Sequence, residues 1–246
     1  MEHKKEWFSE WFNSPYYHIL YQNRDEKEAE FFLRNVVQKL DFAAHHRIVD
    51  LACGKGRHAI FLNSLGFDVT GVDLASQSIQ NAKQFSNDRL HFDVQDLRSL
   101  SVKKNFDIAL NLFTSFGYFS SLEEDELVVK NIHSILKPKG VLLIDFMNAE
   151  CVIKNLVERE SKTINNIQFH ISKWVENGFI HKKIEVVDDA NRFEFTEKVQ
   201  ALHLYNFEEI LSKQHFTITD TFGNYALDAF KKGVSDRLII VAQKND

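Results

Sequence analysis

The sequence predicts an α/β protein: a doubly wound, mostly parallel sheet, with an inserted antiparallel β-meander and an N-terminal helical flap. Three observations lead there. Strand-like and helix-like segments alternate from Arg47 to Phe146, a pattern that calls for parallel strands joined by right-handed crossovers. The stretch Arg47-Ile48-Val49-Asp50-Leu51-Ala52-Cys53-Gly54-Lys55-Gly56-Arg57-His58-Ala59 reads as a buried strand, an acid where it ends, a two-glycine turn and the start of a helix. Past residue 160, long segments alternate apolar and polar residues, the period of antiparallel strands.

Taken in order, Trp7, Phe8, Trp11 and Phe12 suit one face of a helix, and Pro15-Tyr16-Tyr17 and Tyr21 follow. This aromatic flap is expected to pack on the main domain, with a pocket lid as a second reading and a membrane-surface helix, for which its lysines are few, as a third. From Asp25 to Leu40, Ala29, Phe32, Leu33, Val36, Val37 and Leu40 give an amphipathic helix that leads into the first strand. After the glycine turn, Ala59 to Leu65 reads as helix with Gly66 as its stop. Phe67 to Asp73 is a strand, Ser76 to Phe85 a helix, Leu90 to Val94 a strand running up to Asp96, and Phe106 to Leu112 a strand. Ser121-Leu122-Glu123-Glu124 has capping-box spacing before a helix ending near Lys137. Lys137-Pro138-Lys139-Gly140 suits a type I turn, and Val141 to Phe146 reads as an apolar run of a sheet buried on both faces. Ile167 to Val175, Phe179 to Val187 and Phe193 to Tyr205 form a meander of about three strands. Asn206 to Gln214 returns to helix, and Phe216 to Thr221 and Arg237 to Gln243 to strand. The expected organisation is a flap over residues 1–45, a ligand-binding core over 46–150, an insertion covering a substrate site over 160–205, and a final helix and strands over 206–246.

Composition narrows the partners. The 246 residues are 44% hydrophobic and 26% charged with 22 Phe, which fits a globular protein rich in aromatic packing. A formal net charge of -5 supplies no overall basic field, so neither nucleic acid nor a membrane surface is an expected partner. Cys53 and Cys151 are too few for a disulfide framework, and the 11 histidines have no metal-ligand spacing, so no metal is assigned. With no signal peptide and no apolar run of membrane-spanning length, the expected location is the cytoplasm.

In an open α/β sheet, ligands bind beyond the carboxyl ends of the strands. Acids stand at those ends here: Asp50, Asp73 and Asp96 after the first, second and third strands. Asp73 is placed to accept hydrogen bonds from ribose hydroxyls. Asp96 or its neighbouring backbone can read an adenine edge, with Leu74 and Leu97 on the ring faces. Gly54-x-Gly56-x-x-Ala59 also matches the dinucleotide fingerprint, which admits a nicotinamide oxidoreductase. A pyrophosphate, however, has little use for a carboxylate just before the glycines. Asp50 suits a ligand carrying positive charge, such as the amino group and sulfonium of S-adenosylmethionine.

These motifs together resemble a class I S-adenosylmethionine-dependent methyltransferase. Val49 to Gly56 resembles the family's first motif, with Ala52 in place of its frequent first glycine. Gly71-Val72-Asp73-Leu74 resembles the ribose-binding motif, Asp96-Leu97 the adenine-reading position, Phe106 to Asn111 the fourth strand, and Leu136 to Gly140 the turn before the fifth. The resemblance implies a seven-stranded sheet whose last strand, Arg237 to Gln243, is antiparallel. It also implies a cofactor set of Asp50, Ala52, Gly54, Gly56, Asp73, Leu74, Asp96, Leu97 and Asn111. Within the class, Leu112 to Phe119, the flap and the insertion are similar to the small-molecule group of glycine and sugar-amine N-methyltransferases. From the glycine-methylating relatives the resemblance implies Arg24 as partner of the methionine carboxylate. In the sugar-amine enzymes a histidine stands where Tyr118 falls here.

The expected activity is transfer of a methyl group from S-adenosylmethionine to a small-molecule amine or hydroxyl. Tyr118 is the candidate to orient the acceptor, and Tyr16, Tyr17 and Tyr21 can offer ring faces or hydroxyls to a cationic cofactor. Arg192, Glu197 and Arg237 are candidates to meet a charged substrate, while His170, His181 and His203 fall on the insertion strands, where they can face the pocket or the surface. Besides the oxidoreductase, a non-catalytic adenosine-ligand sensor stands as an alternative.

Overall fold

The computed structural model describes residues 6–22, 26–102 and 105–245. The flap forms two short helices, α1 (Trp7–Trp11) and α2 (Pro15–Leu20). They are separate because Ser14 accepts the Tyr16 N–H as an N-cap and Pro15 sits at the first helical position. The long helix α3 (Glu26–Lys39) carries Glu26 and Glu28 in its first turn and Lys39 in its last, charges that complement the helix dipole.

The core then alternates as the sequence predicts: β1 (Arg47–Leu51), α4 (Arg57–Ser64), β2 (Asp68–Asp73), α5 (Ser76–Ala82), β3 (Leu90–Val94), β4 (Phe106–Asn111), α6 (Leu122–Ile135) and β5 (Leu136–Met147). After α7 (Ala149–Lys154) come four strands, β6 (Arg159–Ile164), β7 (Ile167–Glu176), β8 (Phe179–Asp188) and β9 (Asn191–Gln200). The chain closes with α8 (Leu204–Lys213), β10 (Phe216–Phe222) and β11 (Arg237–Lys244).

The main sheet has seven strands in the order β10-β11-β5-β4-β1-β2-β3, with β11 antiparallel to both its neighbours and the others parallel. Strand order reverses between β1 and β4, which places a crevice beyond Leu51 and its register partner Asn111. Alternate residues of β1 feed opposite cores. Val49 and Leu51 pack with Val128, Ile132 and Phe207 of α6 and α8, whereas Ile48 packs with Phe32, Leu62 and Ile79 of α3, α4 and α5. Both faces of the sheet are therefore dry, which is why its strands read as apolar runs.

Several local expectations are corrected. The insertion is a four-stranded antiparallel sheet, because the polar segment β6 pairs with β7; its last strand ends at Gln200, and α8 begins at Leu204. Lys139 has φ +60, the value required at the third position of a type II turn, so Lys137 to Gly140 is not type I. Ser121 caps no backbone group of α6; the Ser120 N–H donates to Glu124 instead. The run Val141 to Phe146 is interrupted by Asp145, which is wholly buried. The flap packs chiefly on the inserted sheet: Trp11 and Leu20 share a core with Phe169, Ile171, Ile184 and Val186. Trp11 Nε1–H and the Tyr21 hydroxyl both donate to Glu197 of β9. No helix among the described residues is long and apolar enough to cross a membrane.

Candidate active site

Beyond the carboxyl ends of β1, β2 and β3 lies a cavity of about 780 Å³, roofed by the flap. Its floor is the glycine turn. Gly56 has φ +83 and caps α4, and a Cβ there would meet the Phe92 ring at 2.5 Å, so only glycine lets the turn close on β3. Gly54 has φ +57 with nothing within 4 Å of its Cβ position, which leaves the cavity open directly above its backbone.

The acids occupy distinct depths. Asp73 lines the cavity, and its oxygens accept from the backbone N–H groups of Gly54 and Ala75, each at 2.7 Å. Burial raises its pKa despite those bonds. Asp50 lies beneath the cavity, 1% exposed. Burial, followed by the charge of Asp73, raises its pKa to about 7, against a hydrogen bond from the Ala59 N–H. Its Oδ2 has no hydrogen-bond partner. Asp96 and Leu97 line the far wall. Burial pushes Asp96 upward, but hydrogen bonds from the Arg98 side chain and backbone, with its charge, outweigh it and leave the pKa lowered. Arg98 also binds Glu6 in bidentate fashion at 2.7 and 2.8 Å and Glu124 at 2.9 Å, tying the start of the flap to this wall. Across the cavity, burial and Lys55 lower the pKa of His18 to about 4, so this flap imidazole is neutral at physiological pH.

A second cavity of about 680 Å³ lies between the core and the inserted sheet. Phe113 and Tyr118 line both cavities and form the partition between them. Phe113 is stacked on His58 with ring centres 4.9 Å apart and lies 5.3 Å from Tyr225. The Tyr118 hydroxyl donates to the Thr114 carbonyl, and its ring packs against Trp7 and Phe12. Polar groups of the second cavity include Lys182 and Glu197, paired at 3.4 Å, and Arg237.

Comparison with known proteins places this floor within a family domain. Residues 48–140, which contain the glycine turn and all three strand-end acids, match a family described as methyltransferase domain. Over these residues the chain carries a methyltransferase domain. It is 28% identical over 209 residues to the putative methyltransferase YqeM of Bacillus subtilis, covering 81% of this chain and 84% of that one. It is 25% identical to a glycine/sarcosine N-methyltransferase of Halorhodospira halochloris, over 92% and 84% of the two chains. Among solved structures, a S-adenosylmethionine-dependent methyltransferase from Clostridium acetobutylicum superposes with TM-score 0.79 at 18% identity, over 94% and 96%.

The residues of this site suit S-adenosylmethionine on their own chemistry. The partnerless Asp50 oxygen offers negative charge below a cationic ligand, Asp73 faces the cavity with acceptor oxygens, and the Gly54 backbone is open to close approach. Ala52, Gly54, Asp73, Leu74, Asp96, Leu97, Tyr17, Tyr21 and Tyr118 line the first cavity. Asp50, Gly56 and Asn111 do not line it; they lie behind it, Asn111 donating to the carbonyls of Leu51 and Ser115. Tyr16 is turned away, its hydroxyl donating to Asp188 at 2.9 Å and its ring against Phe193. Arg24 lies outside the described residues. Glu197 and Arg237 reach the second cavity, whereas Arg192, His170, His181 and His203 line neither. His170 meets Ser161, His181 stacks on Trp174, and His203 begins α8 beside Glu150.

Sequence reasoning missed His18, His58 and Phe113. Their signal was position: His58 follows the glycine turn by two residues and Phe113 follows β4 by two, both at carboxyl-end loops. Among the described residues no cluster of His, Cys, Asp or Glu has a metal-holding arrangement.

Proposed function

We propose that the enzyme methylates a small-molecule amine seated in the second cavity, with the methyl donor in the first. The observation that carries this reading is the meeting of the two cavities at Phe113 and Tyr118. When bound, S-adenosylmethionine supplies a methyl carbon attached to a sulfonium, which an in-line nucleophile displaces. The chain's own residues then have three tasks. Asp73 holds ribose hydroxyls, Asp96 and Leu97 flank the adenine, and Asp50 and the Gly54 backbone complement the cationic end. Tyr17, Tyr21 and the neutral His18 cover the cavity and exclude water without adding positive charge beside a cation. Phe113 and Tyr118 fix the acceptor's approach, and holding reactants in line at about 3 to 3.5 Å is itself a large part of such a rate enhancement.

An amine is favoured over a hydroxyl because the Tyr118 hydroxyl proton is already given to the Thr114 carbonyl. A neutral amine attacks without a general base, whereas a hydroxyl profits from one. The name of the Halorhodospira relative, a glycine/sarcosine N-methyltransferase, supports the same choice. The test is thermal shift and calorimetry with S-adenosylhomocysteine against NADH, followed by labelled methyl transfer to amine and hydroxyl panels. Stabilisation by S-adenosylhomocysteine and label in amines alone is the expected result. Stabilisation by NADH alone, or label in hydroxyl acceptors alone, would refute the reading.

A further inference from the structure

The partition between the two cavities is built on strained backbone. Phe113 and Thr114 are consecutive non-glycine residues with φ +56 and +64, a conformation that L-residues adopt only when surrounding contacts impose it. Those contacts converge on one buried carboxylate. Asp145 Oδ2 accepts from the Phe113 N–H at 2.9 Å and from the Tyr225 hydroxyl at 3.3 Å. The Asp145 carbonyl accepts from the Thr114 N–H at 2.9 Å. Asp145 Oδ1 takes Nε and Nη2 of Arg237, both at 2.8 Å, and Nη2 also donates to Thr114 Oγ1 at 3.0 Å. The carboxylate is 0% exposed and the guanidinium 19%. The turn is thus held by the side chain and carbonyl of Asp145 on β5 and by the side chain of Arg237 on β11; neither residue lines the first cavity, and Arg237 reaches the second.

We infer that Asp145 and Arg237 are positioning residues for methyl transfer, holding the strained Phe113–Thr114 turn so that Phe113 and Tyr118 keep donor and acceptor in line. The inference rests on the assignment of the two cavities made above. Arginine is required because its planar fork spans Asp145 and Thr114 together, whereas a lysine ammonium supplies a single charged centre. Loosening the turn separates the reacting groups while leaving the strand-end acids of the donor cavity in place.

The test compares wild type, Arg237→Gln and Arg237→Lys in the full chain. Hydrogen exchange over residues 112–119 is expected to rise at least tenfold in Arg237→Gln, with β5 and β11 amides within about twofold of wild type. Affinity for S-adenosylhomocysteine, used as the donor-site probe, is expected to stay within about threefold. With glycine and sarcosine as acceptor probes, the single-turnover rate at saturating donor is expected to fall at least tenfold, and Arg237→Lys to recover part of both losses. Unchanged exchange at 112–119, or exchange rising equally along β5 and β11, would overturn the inference, because the pair would then be a strut of the sheet edge. If Arg237→Gln does not fold, Arg237→Lys is read instead: its exchange over 112–119 should rise by a smaller factor than tenfold but still above any rise along β5 and β11, and no such local rise would overturn the inference. Failure of wild type to bind S-adenosylhomocysteine sinks the cavity assignment instead, and is read separately from the exchange result.

Discussion

Removal of the Asp73 carboxylate tests the donor site most directly, and its expected size follows from the hydrogen-bond inventory. An ionised carboxylate offers about four acceptor positions. In this structure the N–H groups of Gly54 and Ala75 occupy two of them. Two positions remain for ribose hydroxyls. A hydrogen bond to a charged group is worth about 1.5–3 kcal/mol. Losing one or two of them in Asp73→Ala weakens donor binding by about 2–4 kcal/mol, roughly 30- to 1000-fold in Kd. Because Asp73 also holds the glycine turn, a variant–ligand cycle separates the two roles. S-adenosylhomocysteine and its 2′- and 3′-deoxy analogues are titrated calorimetrically into wild type and Asp73→Ala. The deoxy analogues should bind wild type at least tenfold more weakly than the parent, and the variant nearly as well as the parent does. Affinity of Asp73→Ala within threefold of wild type, or equal deoxy penalties on both proteins, would refute the assignment of ribose to Asp73.

Three further outcomes follow from the same geometry. Gly56→Ala places a Cβ 2.5 Å from the Phe92 ring at φ +83; overpacking and left-handed strain together should cost about 2–4 kcal/mol in urea unfolding and remove S-adenosylhomocysteine binding, and a loss under 1 kcal/mol would contradict the packing described. The folded-state pKa of Asp50 is raised from 3.8 to about 7, so between those values the folded state keeps a proton that the unfolded chain releases. Stability therefore falls as pH rises from about 4 to 7 and levels off above, and Asp50→Asn, which cannot ionise, should gain on wild type by about 2–4 kcal/mol from pH 4 to 8; a pH-independent difference in urea midpoints would show that Asp50 does not titrate there. Arg98→Ala removes the contacts to Glu6, Asp96 and Glu124 together; S-adenosylhomocysteine should bind about tenfold more weakly and the flap should be cleaved faster in limited proteolysis, whereas unchanged cleavage would mean that aromatic packing alone holds it.

The donor half of the molecule is legible in the sequence because its contacts are local. Strand, glycine turn and helix occur within Arg47 to Ser64, and each strand-end acid follows its own apolar run. What was not legible depends on distant segments. β6 escapes notice because Arg159-Glu160-Ser161-Lys162-Thr163 carries no apolar alternation; its place is fixed by pairing with β7 and by Lys173 at 2.6 Å from Glu160. The flap's partner is equally hidden. Its aromatic residues announce burial but not against what, and the choice of the inserted sheet is made by Glu197, which lies 186 positions from Trp11. Asp145 left a usable signal, since a lone acid inside a strand dry on both faces requires a cation. Arg237, at the start of the neighbouring antiparallel strand, pairs with Met147 and reaches Asp145 diagonally, two residues away, with its long side chain.

This division between local and distant contacts has a functional consequence. The polar groups proposed for the donor come from residues 50–97 at the ends of adjacent strands, where sheet register fixes their spacing. The second cavity is assembled from separated pieces: Glu28 of α3, residues 147–157 around α7, strands β7 to β9, and Tyr225 and Arg237. Side chains on β7, β8 and β9 can change there without moving Asp50, Asp73 or Asp96. The attachment is nevertheless firm, since the last residue of β9, Gln200, donates its N–H to the carbonyl of Gly117 and its side-chain amide to the Phe119 carbonyl and to buried Asp125. The contacts to Gly117 and Phe119 fall on the same 112–119 segment that carries Phe113 and Tyr118. On the proposed reading the inserted sheet has two effects that substitution can separate: its inward side chains would select the acceptor, while its junction at Gln200 would set where the partition stands.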